Sequence, residues 1–498
     1  MTEPSVDSAV LQTTLKELDY ERLEQVFSDC HDLKLSKKRM RTEVGIQTAF
    51  IAYVEGLADA KEINEALLHH FQHMLLHQAP ELQQGEERPE VTDMELSYNP
   101  FDEETSLEML VDVVMRGNLL IVLPESKCAY ALESRKVPQR QTEESASEVS
   151  IKGPRDGFTE DIIINVALVR KRLPSLTLAH ERFVIGSRSK TAVSLLYLKD
   201  VVNMEWVEES RAKLNGINTE VLANTQQLEE YLTGRAFSLF PLIDYIGRPD
   251  HVVLGLERGR LIFLIDGTPL ALLAPANLES VLKSPEDAYF PPYYVLFERI
   301  IRSVGLFLAV LLPGFWVALS AFNMNQLPFT LLTTITVSRI GLPLPAPLEA
   351  ILLIGLFEIF REAGVRLPKA VGQTVAVVGG LIIGETAIDA GLTSPTMLVA
   401  SSISVVSSFL LVNQNLAGTV SLLRLYVLVW SSFLGMFGMF MAFFSIVLYM
   451  ARLHSFGVPY LAPFSPAGFH DIRQSWSLIA QTKNKKRLKL LKTHGDKS

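Results

Sequence analysis

Hydrophobic and polar positions divide this chain near residue 302. Beyond it, no charged residue falls between Arg302 and Arg339, between Asp389 and Arg424, or between Arg424 and Arg452. A bilayer crossing takes about 20 mainly apolar residues, so the pattern predicts membrane helices at 304–322, 371–390, 397–413 and 425–450. The apolar stretch 350–360 amounts to only about half a crossing. It follows Pro343, Pro345 and Pro347 and is accompanied by Glu349 and Glu358, so 343–360 reads as re-entrant or interfacial.

Before residue 302 the periods are those of a water-soluble fold. Ile63, Leu67, Phe71 and Met74 recur at the spacing of one helix face, and Pro80 closes the run. With the aperiodic, carboxylate-rich segment 83–93 as a boundary, this predicts a small, mostly helical lobe over 1–95. A second lobe, α/β or α+β, is expected over 96–290. There 119–123 and 193–198 are short β-rich runs, while 162–173 starts after Thr159 and Glu160 as a helix and stops before Pro174. The runs 252–256 and 261–265, joined by Glu257–Gly259, read as a hairpin, and Asp266–Pro269 as the turn before 270–273. Segment 137–150, rich in Gln, Glu and Ser, reads as an exposed connector. The fold class predicted is a multi-pass α-helical membrane protein with a large two-lobed cytoplasmic N-terminal domain, a membrane domain over 291–452 and a basic cytoplasmic tail over 453–498.

Composition sharpens this division. The 498 residues are 48% hydrophobic, and the mean hydropathy of +0.23 is high for a wholly soluble protein. The net charge of −9 conceals an asymmetry: residues 1–302 hold 32 basic and 48 acidic side chains, net −16, which leaves net +7 for the remainder. A basic nucleic-acid binder, a disordered chain and, with 2 cysteines, a disulfide scaffold are thereby excluded. Cys30 and Cys128 are expected to be reduced. The start MTEPSVDSAV has no basic region followed by an apolar core, which predicts no signal peptide and a cytoplasmic soluble domain. Lys483, Lys485, Lys486, Arg487, Lys489 and Lys492 favour a cytoplasmic C-terminus. Two ends on one side require an even number of crossings, which the four spans satisfy. In that scheme Arg361, Arg366 and Lys369 fall outside, against the positive-inside trend, unless the segment REAGVRLPK folds against the bilayer as part of the re-entrant element.

Candidate chemistry is sparse. His69, His73 and His77, with His70 beside them, share one helix face, but their spacing supplies no carboxylate or cysteine to close a metal site. A polar helix face is expected there, with no metal and no cofactor. Glu385 and Asp389, four apart, share a face at membrane depth and are candidates for an ion path, unless Asp389 sits at the interface. Gly380 and Gly384, and the repeat Ala400, Ser404 and Ser408, permit close helix packing; the hydroxyls of Ser404 and Ser408 could instead line an aqueous path. Glu349, Glu358, Arg361, Glu362 and Arg366 form either a structural ion-pair network or a gate completed on oligomerisation. No Walker loop, HExxH, GxSxG or dinucleotide fingerprint occurs, and no enzyme is expected.

Strings in order over 153–466 resemble the A subunit of the GerA family of spore germinant receptors. They are GPRDGFTEDIIINVALVRKRL (153–173), RSKTAVSLLYL (188–198), RPDHVVLGLERGRLIFLIDGTPLALLAP (248–275), SPEDAY (284–289), LPGFWVAL (312–319), FEIFREAGVRLPKAVGQTVAVVGGLIIG (357–384) and HSFGVPYLAPFSP (454–466). The family-motif positions are Gly153, Arg155, Gly157, Glu160, Asp161, Asn165, Arg248, Pro249, Asp250, Asp266, Pro269, Arg361 and Glu362. The chain departs from the pattern at Ile246 and Gly247, where the family often has Thr-Glu, and its first hundred residues match only loosely. The resemblance implies a subunit of the spore inner membrane, with both ends cytoplasmic. It would work with a permease-like B subunit and a lipoprotein C subunit and conduct ions as an oligomer; no catalytic residue carries over. A homo-oligomeric ring could set Glu385, Glu358 or the hydroxyl stripe around an axis. The alternatives are a membrane-anchored signalling scaffold, a germination-amplifying paralogue, and a secondary transporter, which would show a second copy of the proline-flanked half-span.

Overall fold

The computed structural model describes residues 13–42, 45–63, 68, 71, 98–134, 151–235, 238–366 and 385–465. They divide into two compact units, the first chiefly Met1–Ala236 with Tyr245–Pro275, the second Phe237–Asp244 with Ala276–Lys485.

In the first unit, α1 (Tyr20–Phe27) precedes a hairpin of β1 (Leu33–Thr42) and β2 (Gly45–Val54). After it come β3 (Tyr98–Phe101), α2 (Leu107–Met115), β4 (Leu119–Leu123) and β5 (Cys128–Leu132), and the strands form one sheet in the order β1-β2-β4-β5-β3. Alternate strand residues face opposite sides. Phe50, Ala52, Leu120 and Val122 pack with Leu110 and Val114 of α2, whereas Ala49, Ile51, Leu119 and Ile121 pack with Ile63, Leu68 and Phe71. Both faces being covered, 119–123 is apolar throughout.

The lobe expected to be mostly helical and to end near residue 95 is thus a mixed α/β lobe reaching residue 132, since β4 and β5 complete its sheet. Its first strand hides in the sequence because LKLSKKRMRT carries the charges that protect a sheet edge. Most of the helix expected from the face Ile63, Leu67, Phe71 and Met74 lies outside the described residues. So do His69, His70, His73 and His77, and the connector 137–150.

The second lobe begins with α3 (Ile162–Arg172), whose amides at Ile163 and Ile164 donate to the Asp161 carboxylate. It continues with β6 (Leu178–Ile185), β7 (Thr191–Leu198), α4 (Met204–Gly216) and α5 (Thr225–Thr233). Last come β8 (Asp244–Ile246), α6 (Pro249–Glu257), β9 (Leu261–Ile265) and β10 (Ala271–Ala274), and the sheet order is β6-β7-β9-β10-β8. Val166 and Val169 of α3 and Val252 and Leu256 of α6 pack on Leu196, Ile262 and Leu264. The hairpin expected between 252–256 and 261–265 is corrected here. Residues 252–256 belong to α6, where Pro249 opens the first turn with Asp250 beside it, two helix-start signals that outweigh the β-branched pair Val252–Val253. The hairpin is instead β9–β10.

Burial of the His251 ring, with Arg258 and Arg260 nearby, lowers its pKa to about 3. An unfolded histidine binds its proton near pH 6.5. Its neutral form therefore stabilises the fold fully above about 6.5, and that contribution is lost as the pH falls toward 3. Thermal unfolding of the full-length protein across this range should show a smaller acid-side loss for His251→Gln than for wild type.

In the second unit, α7 (Pro292–Val317) continues through a π-helical turn to Phe322. There follow α8 (Phe329–Ser338), α9 (Ala346–Arg366), α10 (Pro395–Ser408) and α11 (Gln414–Arg452). Two helices among the described residues are long and apolar enough to cross a membrane, Pro292–Phe322 and Asn415–Arg452, whose most apolar 18-residue stretches have mean hydropathies of 2.1 and 2.0.

The second of these folds back on itself. Tyr426 Oη and Ser445 Oγ lie 2.9 Å apart although 19 residues separate them, a spacing that a straight helix would stretch to about 28 Å. The amide of Leu239 donates to Tyr449 Oη, and its carbonyl accepts from Thr419 Oγ1. The reversal is at Gly435, with φ 62° and ψ −137°, a conformation that suits glycine almost alone. The run expected to be one crossing over 425–450 is therefore two antiparallel arms, 414–434 and 436–452.

Neighbour contacts set the directions of the others. Gly305 faces Ser407 and Leu410, and Ser404 Oγ donates to Ala309 O, so α10 runs antiparallel to α7. Gly314 faces Val427 and Ser431, and Gly435 faces Phe322, so the first arm of α11 runs parallel to α7. The segment 343–360, expected to be re-entrant or interfacial, lies mostly in α9, a single helix of 21 residues. Pro347 falls in its first turn, where a missing N–H disrupts nothing. Helix α10 ends at Ser408, short of the expected 413, and Asn413 caps α11 instead. Of the expected span 371–390, only 385–390 is described.

Candidate functional site

Charged side chains are scarce along α7 to α11, and two sets of them meet at α9. At its first turn Glu349 is fully buried. One carboxylate oxygen accepts from Thr393 Oγ1 at 2.9 Å, from the Ser394 amide at 2.5 Å and from Ser394 Oγ at 2.6 Å. Ser394 is also the N-cap of α10, so the carboxylate sits where that helix presents free amides. The other oxygen has no hydrogen-bond partner among the described residues and lies 3.7 Å from Arg339 Nη2.

Further along α9, Glu358 is held between two arginines. Arg361 Nη2 lies 2.6 Å from one of its oxygens, and Arg424 Nη2, from the first arm of α11, lies 3.0 Å from the other. Ser421 Oγ, one turn before Arg424, accepts from Arg361 Nη1 at 2.7 Å and from Arg424 Nη2 at 3.2 Å. The Arg424 side chain is 1% exposed, and its Nε and Nη1 have no hydrogen-bond partner among the described residues. This is a fixed positive charge inside an apolar unit, with two donors unmatched and a carboxylate shared with a second, more exposed arginine. Sequence reasoning named Glu349, Glu358 and Arg361 but used Arg424 only to separate two uncharged stretches. Its isolation between two long apolar runs was the available signal.

The remaining predicted residues are placed as follows. Ser404, Ser408 and Ala400 are buried, with Ser408 Oγ donating to Val405 O, so the small-residue stripe lies in the packing of α10 within one chain. Glu385 and Asp389 are exposed on a short helical stretch, and Glu362 is exposed on α9. Gly380 and Gly384 lie outside the described residues. The motif positions of the soluble unit build turns and caps. Asn165 is fully buried and exchanges hydrogen bonds with the amide and carbonyl of Thr159, Asp161 caps α3, and Asp266 Oδ1 accepts from the Ile162 amide. The carbonyl of Glu160 accepts from the Gly267 amide. Arg248 and Asp250 form a buried pair at 2.7 Å beside Pro249. Gly157 is buried, Gly153 is half-buried, and Arg155 and Pro269 are exposed.

The same unit holds a second buried cluster. Arg170 of α3 donates to both carboxylate oxygens of Asp32, at 2.9 and 2.8 Å, and to the carbonyls of Ser175 and Leu178. His180 Nδ1 lies 3.4 Å from Asp32 Oδ1, and His180 Nε2 bonds Ser194 Oγ at 2.8 Å. Burial alone would raise the Asp32 pKa, but Arg170 and His180 reverse this and hold it below the ordinary carboxylate range. Burial pushes the Cys30 thiol up, which leaves it a poor nucleophile. Among the described residues no group of three or more His, Cys, Asp or Glu is placed to hold a metal.

The family model described as Bacillus/Clostridium GerA spore germination protein matches residues 21–490. The chain is 41% identical over 471 residues to spore germination protein XA of Bacillus anthracis, covering 94% of each. It is 32% identical over 417 residues to the uncharacterized membrane protein YfkQ of Bacillus subtilis (strain 168), covering 84% of this chain and 80% of the relative. The solved N-terminal domain of the A subunit of the Bacillus megaterium spore germinant receptor GerK3 aligns with 53% of this chain and 97% of its own. There the identity is 23% and the TM-score 0.37.

Proposed function

This chain belongs to the Bacillus/Clostridium GerA family of spore germination proteins, and from that premise we propose that it is the A-type subunit of a nutrient germinant receptor, an oligomer that passes ions across the spore inner membrane. A permease-like B subunit and a lipoprotein C subunit are its partners in this reading, and it carries out no chemistry of its own.

The observation that carries the ionic part is the Glu358–Arg361–Arg424 network with its two unmatched Arg424 donors. A revised crossing scheme supports the membrane part. In it α7, α9, α10 and the two arms of α11 each cross, together with the span expected from hydropathy over 371–390, most of which lies outside the described residues. The count is six instead of four, still even, so both ends remain on one side. Glu349 meets Ser394 at the start of α10, and Arg361 meets Ser421 early in α11, which makes α9 antiparallel to α7. Arg361 and Arg366 then move to the inner side, in line with the positive-inside trend that the four-span scheme broke.

The test is ion flux from liposomes containing the purified protein, alone and with its partner subunits. Flux is expected on nutrient addition to the complete complex, and Glu358→Gln with Arg424→Gln should change its rate or ion selectivity. Absence of flux in every combination, or a chain that is strictly monomeric in the membrane, would remove the channel reading.

A further inference from the structure

We propose that the second unit holds one acyl chain of a membrane phospholipid in the cavity between α7 and the two arms of α11. The inference rests on the membrane reading given above. The cavity measures about 420 Å³, and beyond its mouth it is walled by aliphatic and aromatic side chains, among them Leu306, Val310, Leu423, Phe443, Ile446 and Phe464. That volume falls within the range of about 300–1,000 Å³ usual for sites that enclose a small molecule.

Three observations select a lipid chain as the occupant. Polarity is confined to one end, taken as the mouth: the polar lining residues are Glu279 and Lys283, before α7, and Arg299 and Ser303 in its first half, and the later α7 lining, Leu306 to Leu311, is apolar. The ions at the mouth are matched in sign, with Lys283 against Glu279 and Arg299 against Asp287, 3.1 Å away. Such a mouth can exchange contacts with the phosphate and ester oxygens of a headgroup and leaves no bare charge when empty. The depth also fits. From Arg299 to Leu311 the lining follows α7 for about 18 Å of helix rise, close to the roughly 15 Å that one leaflet contributes to a 30 Å hydrocarbon core. The second arm of α11 exposes Phe444 on its outer surface, next to the cavity-lining Phe443, so the cavity lies beside a face that would meet lipid in the proposed membrane setting.

The experiment uses the full-length protein in vesicles of phosphatidylglycerol and phosphatidylethanolamine doped with a phosphatidylethanolamine bearing a diazirine at mid-chain. After illumination, mass spectrometry locates the adducts. Labels are expected on Leu306, Val310, Leu423 or Ile446 as well as on the exposed Phe444. Val310→Trp, which fills the cavity, should lower the interior labelling severalfold and leave labelling at Phe444 unchanged. Ile446→Phe, a milder filling, serves if the Trp variant does not fold, and should lower interior labelling in the same direction. Labelling at Phe444 without interior labelling overturns the lipid site but leaves the membrane reading standing. Absence of labelling at both overturns the membrane reading itself. Interior labelling by a diazirine fatty acid but not by the phospholipid, or interior labelling unaffected by either filling variant, also overturns the proposal.

Discussion

Replacing Asp32 by Asn should destabilise the protein by about 3–5 kcal/mol, the usual consequence of removing one partner from a buried ion pair. Arg170 is 0% exposed and Asp32 4%, and the guanidinium uses Nε and Nη2 on this one carboxylate. Its remaining bonds go to the carbonyls of Ser175 and Leu178, which do not neutralise charge. The variant therefore leaves a buried cation facing a neutral amide, with His180 deprived of its carboxylate neighbour. The double variant Asp32→Leu, Arg170→Met should lie far closer to wild type, because buried pairs are often replaced by apolar residues at little net effect. Denaturant unfolding of Asp32→Asn and of the cycle formed by wild type, Asp32→Leu, Arg170→Met and their double measures this, and a loss below about 1 kcal/mol for Asp32→Asn would show the pair to be dispensable. The sign with pH is fixed by the same contacts. Because the folded Asp32 pKa is depressed, the stabilisation is present above the ordinary carboxylate range and is lost as acid protonates the group.

How much of this was legible in the sequence depended on whether one residue type carried one message. Helix 162–172 was visible because an acidic cap and Pro174 bracket an apolar run, and the strand 119–123 because an all-apolar five-residue run suits a sheet covered on both faces. At 249–257 two messages competed: VVLGL suggests a strand, while Arg-Pro-Asp starts a helix, and packing on β9 favoured the helix. In β1 the charges of an edge strand concealed a ten-residue element. The site was half visible. Glu349, Glu358 and Arg361 stand out as charges around an apolar stretch, but their partners Thr393, Ser394, Ser421 and Arg424 are 44 to 66 residues away, and the spacing along the chain carries no trace of those pairings.

Substituting Gly435 should have the largest effect in the second unit, because the position fails on conformation and on space together. At φ 62° and ψ −137° a side chain is strained by about 1–3 kcal/mol. A Cβ there would also lie 2.8 Å from Phe322 Cβ and 2.9 Å from its Cγ, too close for either to stay in place. Gly438 tightens the turn further, since a Cβ on it would fall 2.1 Å from the Trp430 carbonyl oxygen. A continuous apolar run such as 425–450 cannot reveal this reversal by its hydropathy, since one long span and two folded arms share the same composition. Extended straight, the 38 residues of Asn415–Arg452 would run about 57 Å, nearly twice the roughly 30 Å of a hydrocarbon core. Folding at Gly435 gives two shorter arms, 414–434 and 436–452, and brings Thr419 and Tyr449 to one backbone group, that of Leu239. The pair Tyr426→Cys and Ser445→Cys should therefore join through a short bis-maleimide in the otherwise native full-length protein, and adding Gly435→Val should abolish the adduct and sharply lower the folded yield. Gly435→Ala should retain some adduct with a lower unfolding midpoint. If the valine variant cross-linked as efficiently as the parent, the reversal would not depend on this glycine, and the strain assigned to it would be wrong.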